Sequence, residues 1–170
     1  MKEAVFICGF NNWGKTEIIQ HLFNGRNRFY HYWTYRIIGI NSDFTVESHS
    51  NDDWVGENWR IKVEEKLNHA PAHGHNLFAA LCPSMESNNN FVDLLNKPPF
   101  LTYDKLHIFL IEFKWEHHAK LIINNIINEG HKIKNANFIV INTDSNQTND
   151  EARWNAKVGQ IMKELRIIFP

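Results

Sequence analysis

Residues Gly9 to Thr16 read G-F-N-N-W-G-K-T. The apolar run Ala4-Val5-Phe6-Ile7-Cys8 leads into them, and Glu17-Ile18-Ile19-Gln20-His21-Leu22-Phe23 follows, with positions 18, 19, 22 and 23 suited to one helical face. A strand that turns through two glycines straight into a helix matches G-x-x-x-x-G-K-[ST] without a mismatch, in the structural context that gives the pattern meaning.

Such a loop is built to hold a polyphosphate. Gly9 and Gly14 open dihedrals closed to other residues and let the backbone approach an anion. Phe10, Asn11, Asn12 and Trp13 complete the turn, and the free N–H groups of the next helix, with its dipole, add to the attraction. Lys15 is the expected partner of the β- and γ-phosphates, and Thr16 the expected hydroxyl ligand of Mg²⁺.

Composition bounds the rest. A chain of 170 residues, 43% hydrophobic, predicts a single domain spanning 1–170 with its own core. Eighteen Lys+Arg against 19 Asp+Glu leave a formal charge of -1, and no basic run stands out, so nucleic acid is not an expected partner. Cys8 and Cys82 lie in apolar runs without metal-ligand spacing and read as buried thiols of a reducing compartment. No stretch approaches the roughly 20 apolar residues of a membrane span, and the N-terminal apolar run is too short for a signal peptide. A cytoplasmic protein is expected.

Along the chain, strand and helix patterns alternate. Phe29 to Ile40 is aromatic and β-branched, 43–47 alternates, and Gly39 to Ser42 between them predicts a hairpin. Within it, Tyr30, Tyr32 and Thr34 would share one face, and Phe29, His31, Trp33 and Tyr35 the other. Asp52 or Asp53 is placed to cap a helix with apolar positions 55, 59, 63 and 67. Strands are expected over 76–82, 105–113 and 137–141. Helices are expected over 91–96, 117–129 (Ile122, Ile123, Ile126 and Ile127 inward, Gly130 as its stop) and about 150–165 (Trp154, Val158, Ile161, Met162 and Leu165 inward). This alternation predicts an α/β fold, a three-layer sandwich around a mainly parallel five-stranded sheet, with ligands where the strands end.

The loop, the third strand with its continuation Leu77-Phe78-Ala79-Ala80-Leu81-Cys82-Pro83-Ser84, and the closing segment Phe138-Ile139-Val140-Ile141-Asn142-Thr143-Asp144-Ser145 before Asp150-Glu151 resemble the P-loop nucleoside-triphosphatase superfamily. In layout the chain is most similar to its small-molecule kinases, such as the adenylylsulfate, gluconate and shikimate kinases. The resemblance implies a P-loop fold, ATP as substrate, Mg²⁺ as cofactor and a small-molecule acceptor. It puts Asn142 and Thr143 near the purine and an acceptor-side acid after the second strand, at Asp52 and Asp53. Glu112, closing the run Leu106 to Ile111, looks like the strand-plus-acid element of ATPases and is the first candidate for the acid that helps hold the metal. The kinases carry lid arginines where this chain reads Lys114-Trp115-Glu116-His117-His118-Ala119-Lys120; Arg153 is the candidate substitute.

Two other functions stay open. Asn12 and Asp53-Trp54-Val55-Gly56 also resemble motifs of translation-factor-related GTPases, so an ATPase or GTPase switch with a protein partner is a rival, the aromatic hairpin being its interface. A nucleotide sensor without turnover is the third. His69, His73 and His75, and the pair His117-His118, have ligand chemistry but lack a fourth partner, and surface histidines are their default.

Overall fold

The computed structural model describes residues 1–72, 75–115 and 119–170. Five strands form one all-parallel sheet in the order β2-β3-β1-β4-β5: β1 Glu3–Cys8, β2 Phe44–Glu47, β3 Asn76–Leu81, β4 Lys105–Ile111 and β5 Ala136–Ile141. Every residue of β1 is buried, as a central strand covered on both faces requires. Among the described residues five α-helices connect and cover the strands: α1 Lys15–Leu22, α2 Glu57–Asn68, α3 Phe91–Leu95, α4 Ile123–Gly130 and α5 Asp150–Ile168.

Aromatic contacts show the layers. On one face Phe44 and Phe78 meet Phe23, from the end of α1, and Phe44 meets Phe169, from the end of α5, at centroid distances of 5.1–6.1 Å. On the other face Phe6 meets Phe100 at 5.7 Å, and Phe100 stacks on Trp59 of α2 at 5.4 Å. A three-layer α/β arrangement follows.

Four expectations need correction. No hairpin forms over 29–47: Tyr35 and Phe44 share one antiparallel bridge, with N–H···O distances of 2.9 Å both ways, and β2 takes its ladder from β3. Phe29 and Tyr35 turn inward against Phe23, while Tyr30, Tyr32 and Trp33 stay exposed, so burial decides this segment rather than alternation. Neither Asp52 nor Asp53 caps α2. The chain first makes turns through residue 56, where Gly56 adopts φ 51°, and Val55 is exposed.

The helix expected from 117 starts at Ile123, which leaves Ile122 at 67% exposure rather than inward. Just before it, Lys120 bridges back to Phe113. Gly130 is the last helical residue, with a packing reason: a Cβ there would lie 2.1 Å from the Phe138 ring. The last helix runs on to Ile168, burying Ile161 and Leu165 while Trp154, Val158 and Met162 are partly buried against the core.

Candidate functional site

The strand order makes the ends of β1 and β4 a switch point. From β1 the chain moves toward β2 on one side; from β4 it moves to β5 on the other. The crevice between such strands is where open α/β sheets bind ligands. The glycine loop opens there.

Its backbone is set by residues that tolerate unusual dihedrals. Gly14, the N-cap of α1, has φ 83°, and Asn12 also takes a positive φ of 59°. Gly9 continues the ladder by donating its N–H to the Leu81 carbonyl at 3.1 Å, and a Cβ on it would meet Trp13 at 3.1 Å. Trp13 is buried and meets Phe10 edge to face at 6.3 Å, so this indole packs the loop.

Lys15 opens α1 and is only 7% exposed. Its ammonium curls back beneath the loop, donating to the carbonyls of Gly9 and Phe10 at 2.8 Å each. The Asp52 carboxylate lies 4.0 Å away. Thr16 donates its hydroxyl to the Ser48 carbonyl at 3.1 Å, which ties the loop to the segment after β2.

That segment is locked by short polar contacts. The Ser50 N–H donates to Asp53 Oδ2 at 2.7 Å, and the Ser50 hydroxyl bonds both the Asp52 and the Asp53 carboxylates. Fully buried Asn51 accepts from the Cys82 N–H at 2.7 Å and donates to the Cys82 carbonyl at 3.1 Å and to Asn89 Oδ1 at 2.8 Å. Asn51 therefore fastens the two aspartates to the end of β3. Burial, with the nearby Asp52 charge adding to it, pushes the Cys82 thiol up to about 12; burial likewise raises Cys8. Neither thiol is poised as a nucleophile.

Behind Glu47 lies a second polar group. Burial alone drives the Glu47 carboxyl upward, but the hydrogen bond with His49 and the charge of Lys66, 2.9 Å away, outweigh it and hold the carboxyl below its ordinary 4.5. The same bond raises His49, whose ring stacks on Trp54 at 4.4 Å.

Two hollows meet at the loop. One of about 280 Å³ is lined by residues 11–17 and Asp53. The other, about 540 Å³, runs from Asn12, Gly14 and Glu17 to Lys114, Trp115 and Trp154. Gly9 to Thr16, Asp52 and Asp53 thus come together. The remaining expected residues stand apart from these hollows.

Glu112 follows β4 and lines neither hollow; its backbone bonds Ile141 at 3.1 Å and Leu121 at 2.7 Å. Arg153 donates to the Gln147 carbonyl at 3.3 Å and to Asp150 at 3.2 Å, lining an adjoining cleft with Trp115, Trp154 and Lys157. Asn142 and Thr143 donate their amides to Gln160 Oε1 at 2.9 and 3.1 Å, beyond edge strand β5.

Sequence reasoning missed Trp115 and Trp154 as cleft walls. The helical period of Trp154 is that of a core residue, and Trp115 sits in a loop with no pattern. Of the histidine candidates, His73, His117 and His118 lie outside the described residues, and among the described ones no group of three or more side chains is arranged to hold a metal ion. Among the described residues no helix is long and apolar enough to cross a membrane.

A helix N-terminus, a buried ammonium, a hydroxyl and two carboxylates thus stand together at one loop. Comparison with protein families, with characterised proteins and with solved structures finds no match.

Proposed function

We propose that this chain is a phosphotransferase of the P-loop kind, which binds a nucleoside triphosphate, ATP first, and passes its γ-phosphoryl group to a small-molecule acceptor. The observation that carries the reading is the convergence of Lys15, Thr16, Asp52 and Asp53 on one glycine loop. Loop amides between Gly9 and the start of α1 bind the phosphates, and Lys15 exchanges its loop carbonyls for β- and γ-oxygens. Thr16 and Asp53 would hold Mg²⁺, which would neutralise charge on the phosphate oxygens. Asp52 receives the proton of the acceptor hydroxyl.

The cleft walled by Trp115 and Trp154 suits a nucleobase, since an indole face stacks on any base. Transfer is favoured over hydrolysis because the acids at the loop follow β2, while Glu112, the acid suited to polarising water, lines neither hollow. A cytoplasmic setting accords with two free, buried thiols. The second reading, a nucleotide switch with a protein partner, rests on the exposed Tyr30, Tyr32 and Trp33.

The test is calorimetric titration of ATP and GTP with and without Mg²⁺ on wild type and Lys15→Ala, followed by transfer of γ-³²P label into a metabolite pool. Wild type binds Mg²⁺–ATP, and the variant loses about 10- to 100-fold in affinity, the scale of a lost charge-assisted contact. Equal affinity in both proteins overturns the reading. Hydrolysis that rises only with a partner replaces it with the switch.

A further inference from the structure

A second cleft, of about 450 Å³, lies beside the loop, where α4 begins rather than α5. It is large enough for a metabolite. Phe10 of the loop, Met85 after β3, and Ile122 and Ile126 at the start of α4 supply its apolar wall. Phe10, Met85 and Ile122 are each more than 40% exposed. One exposed apolar side chain is ordinary; three from separate connections lining one hollow form an apolar surface of the kind that receives a ligand. Among the described residues the same lining carries one charge of each sign, Glu86 and Lys120.

Two of the lining residues, Phe10 and Pro83, lead to the groups at the loop. The Phe10 carbonyl accepts from the Lys15 ammonium at 2.8 Å. Pro83, also in the lining, follows Cys82, whose backbone is bonded by Asn51, the residue before Asp52. The nucleotide cleft reaches the loop at Asn12 and Gly14, beside Trp154 of α5, and this one reaches it at Phe10, beside the start of α4.

We infer that this cleft receives the phosphoryl acceptor, and that the acceptor is a small zwitterion with an apolar body and a hydroxyl group. The inference rests on the phosphotransferase reading for the reaction and on the cleft alone for the chemistry of the ligand. A molecule carrying only an anion meets Lys120 but is repelled by Glu86, and a simple cation meets the reverse. A molecule with an ammonium and a carboxylate satisfies both, while its body covers Phe10, Met85 and Ile122. In the transfer, the acceptor's hydroxyl oxygen forms a bond to the γ-phosphorus. The bond from that phosphorus to the β,γ-bridging oxygen breaks, ADP leaves with the electron pair, and the hydroxyl proton passes to Asp52.

The test uses the full chain with ¹³C-labelled Met and Ile methyl groups and four probes sharing a phenylalkyl body: L-phenylalanine, phenethylamine, 3-phenylpropionate and 2-phenylethanol. L-Phenylalanine is expected to shift the methyl signals of Met85, Ile122 and Ile126 and to bind most tightly. Glu86→Gln should weaken the two amine-bearing probes, and Lys120→Gln the two carboxylate-bearing ones, each by about three- to tenfold, as an exposed charge contact allows. Ile122→Glu should abolish the shifts.

Tightest binding of 3-phenylpropionate overturns the zwitterion in favour of an anionic acceptor. Shifts indifferent to Ile122→Glu, or none with any probe, overturn the site. A parallel Mg²⁺–ATP titration of the same sample keeps the two readings apart, since nucleotide failure with intact probe binding sinks only the phosphotransferase.

Discussion

Lys15 and Asp52 stand 4.0 Å apart, nitrogen to oxygen. The gap is longer than a direct hydrogen bond because the ammonium spends two donors on the carbonyls of Gly9 and Phe10. Asp52 is instead fixed by Ser50, and Ser50 by the neighbouring Asn51 clamp on Cys82. A buried cation and a neighbouring carboxylate are thus held together by two independent sets of contacts.

This pairing predicts which acid matters. Asp52→Asn should lower turnover of label transfer about 100-fold, the scale of a lost general base. Asp53→Asn should act chiefly by raising the Mg²⁺ concentration needed. Glu112→Gln should change turnover by less than about threefold, since a charge at a strand end is usually solvated. If Glu112→Gln is the variant that silences transfer, the acid belongs to β4 and hydrolysis regains precedence.

The indole walls predict a stacking contribution. Trp154→Ala should weaken ATP binding by about 1–3 kcal/mol, and ATP should quench tryptophan emission in wild type. Trp154 also meets His21 at 5.5 Å, so the melting temperature must be followed alongside. Unchanged affinity in a well-folded variant removes the base from this cleft.

Gly130 should tolerate no side chain. With the Phe138 ring 2.1 Å from the added carbon, Gly130→Ala should cost about 1–3 kcal/mol by overpacking. Phe138→Leu should recover part of that loss when combined with it. Chemical denaturation measures both, and simple additivity of the two changes would contradict the proposed clash.

Stability should depend on pH through Glu47 and His49, with opposite signs. Glu47 is depressed, so its contribution is present above its ordinary 4.5 and is lost as pH falls through the lower folded value. His49 is raised, so its contribution is complete below 6.5 and is lost as pH climbs through the higher folded value. Glu47→Gln should flatten the contributions of both groups and cost about 3 kcal/mol by leaving Lys66 buried without its carboxylate. Urea midpoints from pH 3 to 9 read this directly; an unchanged slope near neutrality in Glu47→Gln would detach His49 from Glu47.

The sheet was legible because its strands are short apolar runs bounded by glycine, proline and asparagine, and Gly9 to Thr16 was legible because a loop before a helix has few solutions. Other parts were not. Phe29 to Tyr35 has the composition of a strand, yet Phe23 draws two of its rings into the core and the ladder goes to β3 instead. Asp52 and Asp53 look like helix caps, but Ser50 competes for their oxygens. Ile122 fits the helical period and still lies outside, since the helix starts after the Phe113–Lys120 bridge. In each case a tertiary or competing local contact overrides a local preference, which no single-sequence pattern records.

Cys8 and Cys82 sit at the ends of the central strand and its neighbour, next to the glycine loop and buried from solvent. Alkylating agents attack the ionised form of sulfur, and here that form is suppressed in the closed fold. Iodoacetamide uptake then becomes a clock for transient opening: each modified chain marks an excursion in which the loop has left its seat. A nucleotide that settles there should slow the clock, giving an assay of occupancy that requires neither turnover nor knowledge of the acceptor.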